Sequence, residues 1–123
     1  MSPEKSFEIK VKKYLQSYGN QIWHFKVWGG GYQRSGIPDL IACVNGIFVA
    51  IELKSDSGKA SELQKYNIKL INKSNGLGII LYPTGFESFK KIIEEVVNCN
   101  AHTLALNALK SAPTNTNCNI LND

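Results

Sequence analysis

Asn45-Gly46 stands between two apolar, β-branched runs, one over residues 36–44 and one over 47–54. That arrangement demands a hairpin, because the favoured two-residue turn needs positive φ at both central positions, and Asn-Gly supplies it. A two-residue turn also fixes the register. Val44 faces Ile47, Cys43 faces Phe48, Ile41 faces Ala50, and Asp39 faces Glu52. Lys54 follows Glu52 by two residues and projects from the same face. The end of the hairpin away from the turn therefore gathers Asp39, Glu52 and Lys54. Directly opposed like charges repel, and carboxylates at the margin of an apolar sheet are costly unless something neutralises them. A divalent cation does so. Paired carboxylate oxygens are hard donors of the kind Mg²⁺ takes, with water and substrate phosphate filling the remaining positions. The alternative is a turn aspartate after Pro38 and a solvated strand end at Glu52 and Lys54. The apolar neighbours Ile51 and Leu53 favour the metal site.

Apart from these charges, the hairpin is apolar on both faces, so it is expected to be covered on both. Cys43 then reads as a small buried hydrophobe. With Cys99 and Cys118 it makes three cysteines, without the spacing of a zinc site or a disulfide framework.

The words Gly36-Ile-Pro-Asp-Leu-Ile41 and Phe48-Val-Ala-Ile-Glu-Leu-Lys-Ser-Asp-Ser-Gly-Lys-Ala-Ser-Glu-Leu-Gln64 resemble the P-D…E-x-K signature of the restriction-endonuclease-like nucleases. In particular they resemble its VRR-NUC (virus-type replication–repair nuclease) family. The likeness runs from the first helix to about Tyr82. It implies an αβββαβ core and a DNA endonuclease dependent on Mg²⁺ or Mn²⁺. Asp39 and Glu52 would hold the metal together with the backbone carbonyl of Leu53, and Lys54 would serve the attacking water. The family's first helix carries a glutamate, which Glu8 matches; Glu4, one turn earlier, competes for that role. A glutamine also stands at the position of Gln64. The resemblance further implies branched DNA such as Holliday junctions as substrate, and a homodimer, since paired nicks need two sites. A DNA-binding module without activity, or a nuclease for RNA, flaps or other substrates, is the alternative.

Along the chain, Ser2-Pro3 starts a helix whose apolar positions Phe7, Val11 and Leu15 recur at helical spacing. Residues 21–28 are rich in aromatics and read as a strand. The glycine-rich loop 29–36 leads into Asp39, so Arg34 and Ser35 are candidate phosphate contacts and Tyr32 a candidate stacking residue. Lys59, in the polar loop after the hairpin, would lie near substrate. Ser61-Glu-Leu-Gln64 is a capping-box pattern, which gives Gln64 a structural role that competes with the one the family implies. Leu63, Tyr66, Asn67, Leu70 and Ile71 mark the face of that helix expected to cover the sheet. A buried strand over 77–82 and an amphipathic helix over 86–97 complete a domain at 1–97. The polar stretch 98–123, with a short helix over 104–109, reads as a partly disordered tail.

The fold class is thus α/β, a mixed central sheet flanked by helices. The net charge is +4 over 123 residues, and Arg34 is the only arginine. A mild basic bias is compatible with nucleic acid. Neither a membrane span nor an apolar signal core is present, so a cytoplasmic protein is expected.

Overall fold

The structure, a computed structural model, describes residues 1–28, 35–99, 107, 108, 110 and 111. The expected helix over 104–109 and the tail beyond it fall almost wholly outside these residues. Helix α1 spans Pro3–Gln16, β1 Ile22–Lys26, β2 Leu40–Val44, β3 Ile47–Leu53, α2 Glu62–Lys73, β4 Leu77–Leu81 and α3 Phe86–Val97. Two short 3-10 turns precede β1 and α3.

Local chemistry explains the element ends. The Ser2 side chain accepts the Lys5 N–H at 3.1 Å, satisfying one of the free donors of the first turn. At the hairpin turn φ is 52° at Asn45 and 80° at Gly46. The observed ladder pairs Val44 with Ile47, Cys43 with Phe48 and Ile41 with Ala50, which is the register the turn dictates. Asn45 Nδ2 donates to the carbonyls of Val96, at 3.0 Å, and of Cys99. The turn is thereby tied to the end of α3.

The strands lie side by side in chain order. β1, β2 and β3 are antiparallel, and β4 runs parallel to β3. One face of this mixed sheet presents Leu40, Ala42, Val44, Val49, Ile51 and Leu53. They pack with Phe7, Val11 and Leu15 of α1 and with Phe86, Phe89 and Ile93 of α3. Helix α2 covers the other face, over β3 and β4. It sits close because Gly78 has no side chain: a Cβ there would stand 3.0 Å from the Ile68 carbonyl oxygen.

Two expectations about this second face are corrected. The residue α2 buries is Ile68, whereas Leu63, Tyr66 and Leu70 are exposed. The helix packs on β4 through its 68 side; of the stripe read as its inner face, Asn67 and Ile71 are half-buried, while Leu63, Tyr66 and Leu70 turn outward. Nor is the second face fully covered. α2 stops short of β1 and β2, so Trp23 (65% exposed), Phe25 and Phe48 remain open, and Cys43 is exposed rather than buried. No helix among the described residues is long and apolar enough to cross a membrane.

Candidate active site

The end of the hairpin away from the turn holds its three charged residues close together. Asp39 lies immediately before β2 and is fixed from both neighbouring strands. Its Oδ2 accepts the Leu53 N–H at 2.8 Å, and its carbonyl accepts the Val27 N–H at 2.8 Å. Glu52 is only 3% exposed. Lys54 Nζ stands 3.5 Å from Glu52 Oε2, while Glu52 Oε1 is buried and has no hydrogen-bond partner among the described residues. Burial, reinforced by the neighbouring Asp39 and opposed by Lys54, pushes the Glu52 carboxyl up to about 8. A carboxylate here is thus desolvated faster than its one cation repays.

Asp39 also lines a cavity of ≈ 250 Å³ with Glu4, Lys5, Glu8, Lys26 and Leu53. The fold therefore brings Glu8 and its competitor Glu4 to one hollow beside Asp39. Glu8 is buried at 7% exposure within a cluster of lysines. Lys5 Nζ is 2.8 Å from its Oε2, Lys26 Nζ 3.0 Å from its Oε1, and Lys12 Nζ 3.7 Å from its Oε2. Burial pushes its carboxyl up, but the hydrogen bonds from Lys5 and Lys26 outweigh that and hold it below the ordinary value.

Sequence reasoning missed this cluster. Lys5, Glu8 and Lys12 share one side of α1 at helical spacing, a legible signal. Lys26 arrives from β1, and only the fold shows that it meets them.

The remaining candidates divide. Leu53 is buried, borders the cavity, and donates its N–H to Asp39. Gln64 forms the capping box: its Oε1 accepts the Ser61 N–H at 2.8 Å, and its own N–H donates to Ser61 Oγ at 3.1 Å. The structural role is the one its side chain performs here. Lys59 is exposed in the loop after β3. Ser35 is exposed and borders a hollow on the α2 side with Leu63 and Tyr66. Tyr32 and Arg34 lie outside the described residues.

Two carboxylates and a backbone carbonyl do not make a closed cage. Among the described residues no three His, Cys, Asp or Glu side chains converge to enclose an ion. That donor set is incomplete for a structural zinc site. It suits Mg²⁺, which keeps several waters and takes one or two carboxylates plus substrate oxygens. The orphaned Glu52 oxygen is the observation that fits a cation. No family model, curated protein or solved structure matches the chain.

Proposed function

We propose that this chain is a Mg²⁺- or Mn²⁺-dependent DNA endonuclease of the restriction-endonuclease-like, VRR-NUC type, acting on branched DNA. The observation that carries the reading is Glu52: a buried carboxylate with an oxygen left without a donor, beside a second carboxylate and a lysine. A buried polar atom without a partner costs about 1–3 kcal/mol, and a bound cation removes that cost. The element order, with three antiparallel strands followed by a helix and a parallel fourth strand, is compatible with the αβββαβ core that the signature implies.

Asp39 and Glu52 would hold the ion, with the Leu53 carbonyl as a further oxygen donor. Such an ion, when bound, acidifies a coordinated water and polarises a phosphate oxygen. The chain's own groups do the rest. The Leu53 N–H holds Asp39 Oδ2 in place, so the carboxylate pair is preorganised by the hairpin ladder. The Lys54 ammonium, two residues on from Glu52 along β3, orients the attacking water or stabilises charge developing on the phosphate. Positioning and electrostatics supply most of the acceleration in phosphoryl transfer.

Glu8 acts through its lysines, and a role at the ion would require it to release them. A homodimer completes the reading, because paired nicks need two sites and one chain carries one. The open face with Trp23, Phe25 and Phe48 is an apolar surface suited to a second copy. Monomer mass by light scattering at micromolar concentration with DNA present would refute the dimer.

A binding module without chemistry is the second reading. It is favoured by the two satisfied contacts of the charged cluster, Asp39 to the Leu53 N–H and Glu52 to Lys54. Asp39→Ala discriminates. In a nuclease it abolishes metal-dependent cutting and leaves DNA binding intact or tighter; a binder has no cutting to lose.

A further inference from the structure

Trp28 is 82% exposed, the largest apolar side chain standing so far into solvent among the described residues. Its place is not arbitrary. Lys26 and Trp28 are two residues apart and project from the same side of β1 and its extension, the side on which Lys26 meets Glu8 of α1. Lys26 Nζ stands 6.0 Å from the Trp28 ring centroid. The residue between them, Val27, donates its N–H to the Asp39 carbonyl. An aromatic platform and a lysine cluster thus flank the candidate catalytic aspartate. Three lysines surround the one carboxylate of Glu8; Glu4 and Asp39 also line the cavity, so these lysines and carboxylates balance, and Lys5 and Lys26 are the ammonium groups that border it.

We propose that this ledge is a binding site for an unpaired nucleotide next to the scissile phosphate. Lys5 and Lys26 take a backbone phosphate, and the Trp28 ring stacks on the base. The chemistry follows from what each group offers. Lysine ammonium groups attract phosphate without reading sequence. An indole face accepts any base, but only one that is free of its duplex. Glu8 keeps the lysines gathered at the cavity, which limits the side-chain entropy lost when phosphate binds. The inference rests on the nuclease reading and narrows its substrate class. The preferred DNA carries an unpaired base beside the cut, as at a branch, fork or flap, rather than continuous duplex.

The test is fluorescence anisotropy of a short labelled oligothymidylate in EDTA and low salt, using the full chain. Without metal nothing is cut, so the result does not depend on whether Asp39 and Glu52 hold an ion. Trp28→Ala and Trp28→Leu are expected to weaken binding about 5- to 150-fold, while Trp28→Phe stays within a few-fold of wild type. Lys5→Ala and Lys26→Ala each lower the slope of log K against log salt by about 0.7. An oligonucleotide of abasic sites removes the base and keeps the phosphates, so on it Trp28→Ala loses its effect.

Equal melting temperatures confirm that the exposed tryptophan variants fold. Wild-type binding by Trp28→Leu, an equal loss on the abasic strand, or no binding by wild type would each overturn the proposal. Loss of metal-dependent cutting in Asp39→Ala with these binding results unchanged would speak for the active site alone.

Discussion

Replacing Glu52 with glutamine is expected to stabilise the metal-free chain while destroying its function. The side chain keeps its size, and an amide that cannot ionise takes the place of the carboxyl. Glu52 holds its proton up to about 8 in the folded state against an ordinary value of 4.5. The raised value sets the sign. The folded chain binds this proton more tightly than the unfolded chain, so that stability is present in full below pH 4.5. It is lost as pH rises toward 8.

The rise from 4.5 to about 8, at about 1.4 kcal/mol per pH unit, sets a ceiling of about 5 kcal/mol. Local relaxation lowers the cost. The range usual for a buried unsatisfied polar group, about 1–3 kcal/mol, is the working expectation. Urea denaturation in EDTA at pH 5, 7 and 9 reads it. The advantage of Glu52→Gln over wild type should be small at pH 5 and should grow to its full value at pH 9. Titrating groups that do not touch Glu52 cancel in the difference. Added Mn²⁺ should then stabilise wild type according to its affinity and leave the variant nearly unmoved. A variant less stable than wild type at pH 9, or an advantage independent of pH, would refute the reasoning.

Other consequences follow from single contacts. Gly36 has φ +80°, and a Cβ there would stand 2.7 Å from Leu63 Cγ and 3.0 Å from the Leu63 carbonyl carbon. Gly36→Ala is therefore expected to cost about 2 kcal/mol or more in chemical denaturation. Ser61→Ala removes half of the capping box and should cost about 1 kcal/mol without changing DNA affinity. Gln64→Ala is expected to behave the same way. A large loss of cutting at unchanged stability would instead restore Gln64 to the catalytic site. Glu8→Gln removes a negative charge from among Lys5, Lys12 and Lys26, and should leave oligonucleotide binding at low salt intact or tighter and Mn²⁺ affinity measured by calorimetry nearly unchanged.

The hairpin was legible because its causes are local. Asn45-Gly46 admits one turn geometry, and that turn fixes every opposed pair down to the side that Asp39, Glu52 and Lys54 share. The caps at Ser2 and Ser61 were legible for the same reason, as were the buried stripes of α1 and α3. What escaped depends on how far one element reaches over another. A two-faced apolar strand reads as covered on both faces. How much of the second face α2 covers, however, depends on Gly78 admitting Ile68 closely over β4. That placement leaves Cys43 and Phe48 in the open and turns Leu63 and Tyr66 outward. The lysine cluster escaped in a similar way: α1 displays Lys5 and Lys12 beside Glu8, but nothing local says that Lys26 and Trp28 arrive from β1. Gln64 shows a further limit, since one pattern served two readings and the side-chain bond to the Ser61 N–H decides what it does in this fold.

The most direct test of the central claim is cleavage of a labelled four-way junction, with linear duplex and single strand as controls. It is run in Mg²⁺, in Mn²⁺ and in EDTA, with wild type beside Lys54→Ala. A nuclease of this type cuts with either metal and not in EDTA, prefers the junction over continuous duplex, and loses cutting in the variant with junction binding retained. Junction binding with no cutting of any substrate by wild type would contradict the nuclease reading, and would make the chain a DNA-binding module.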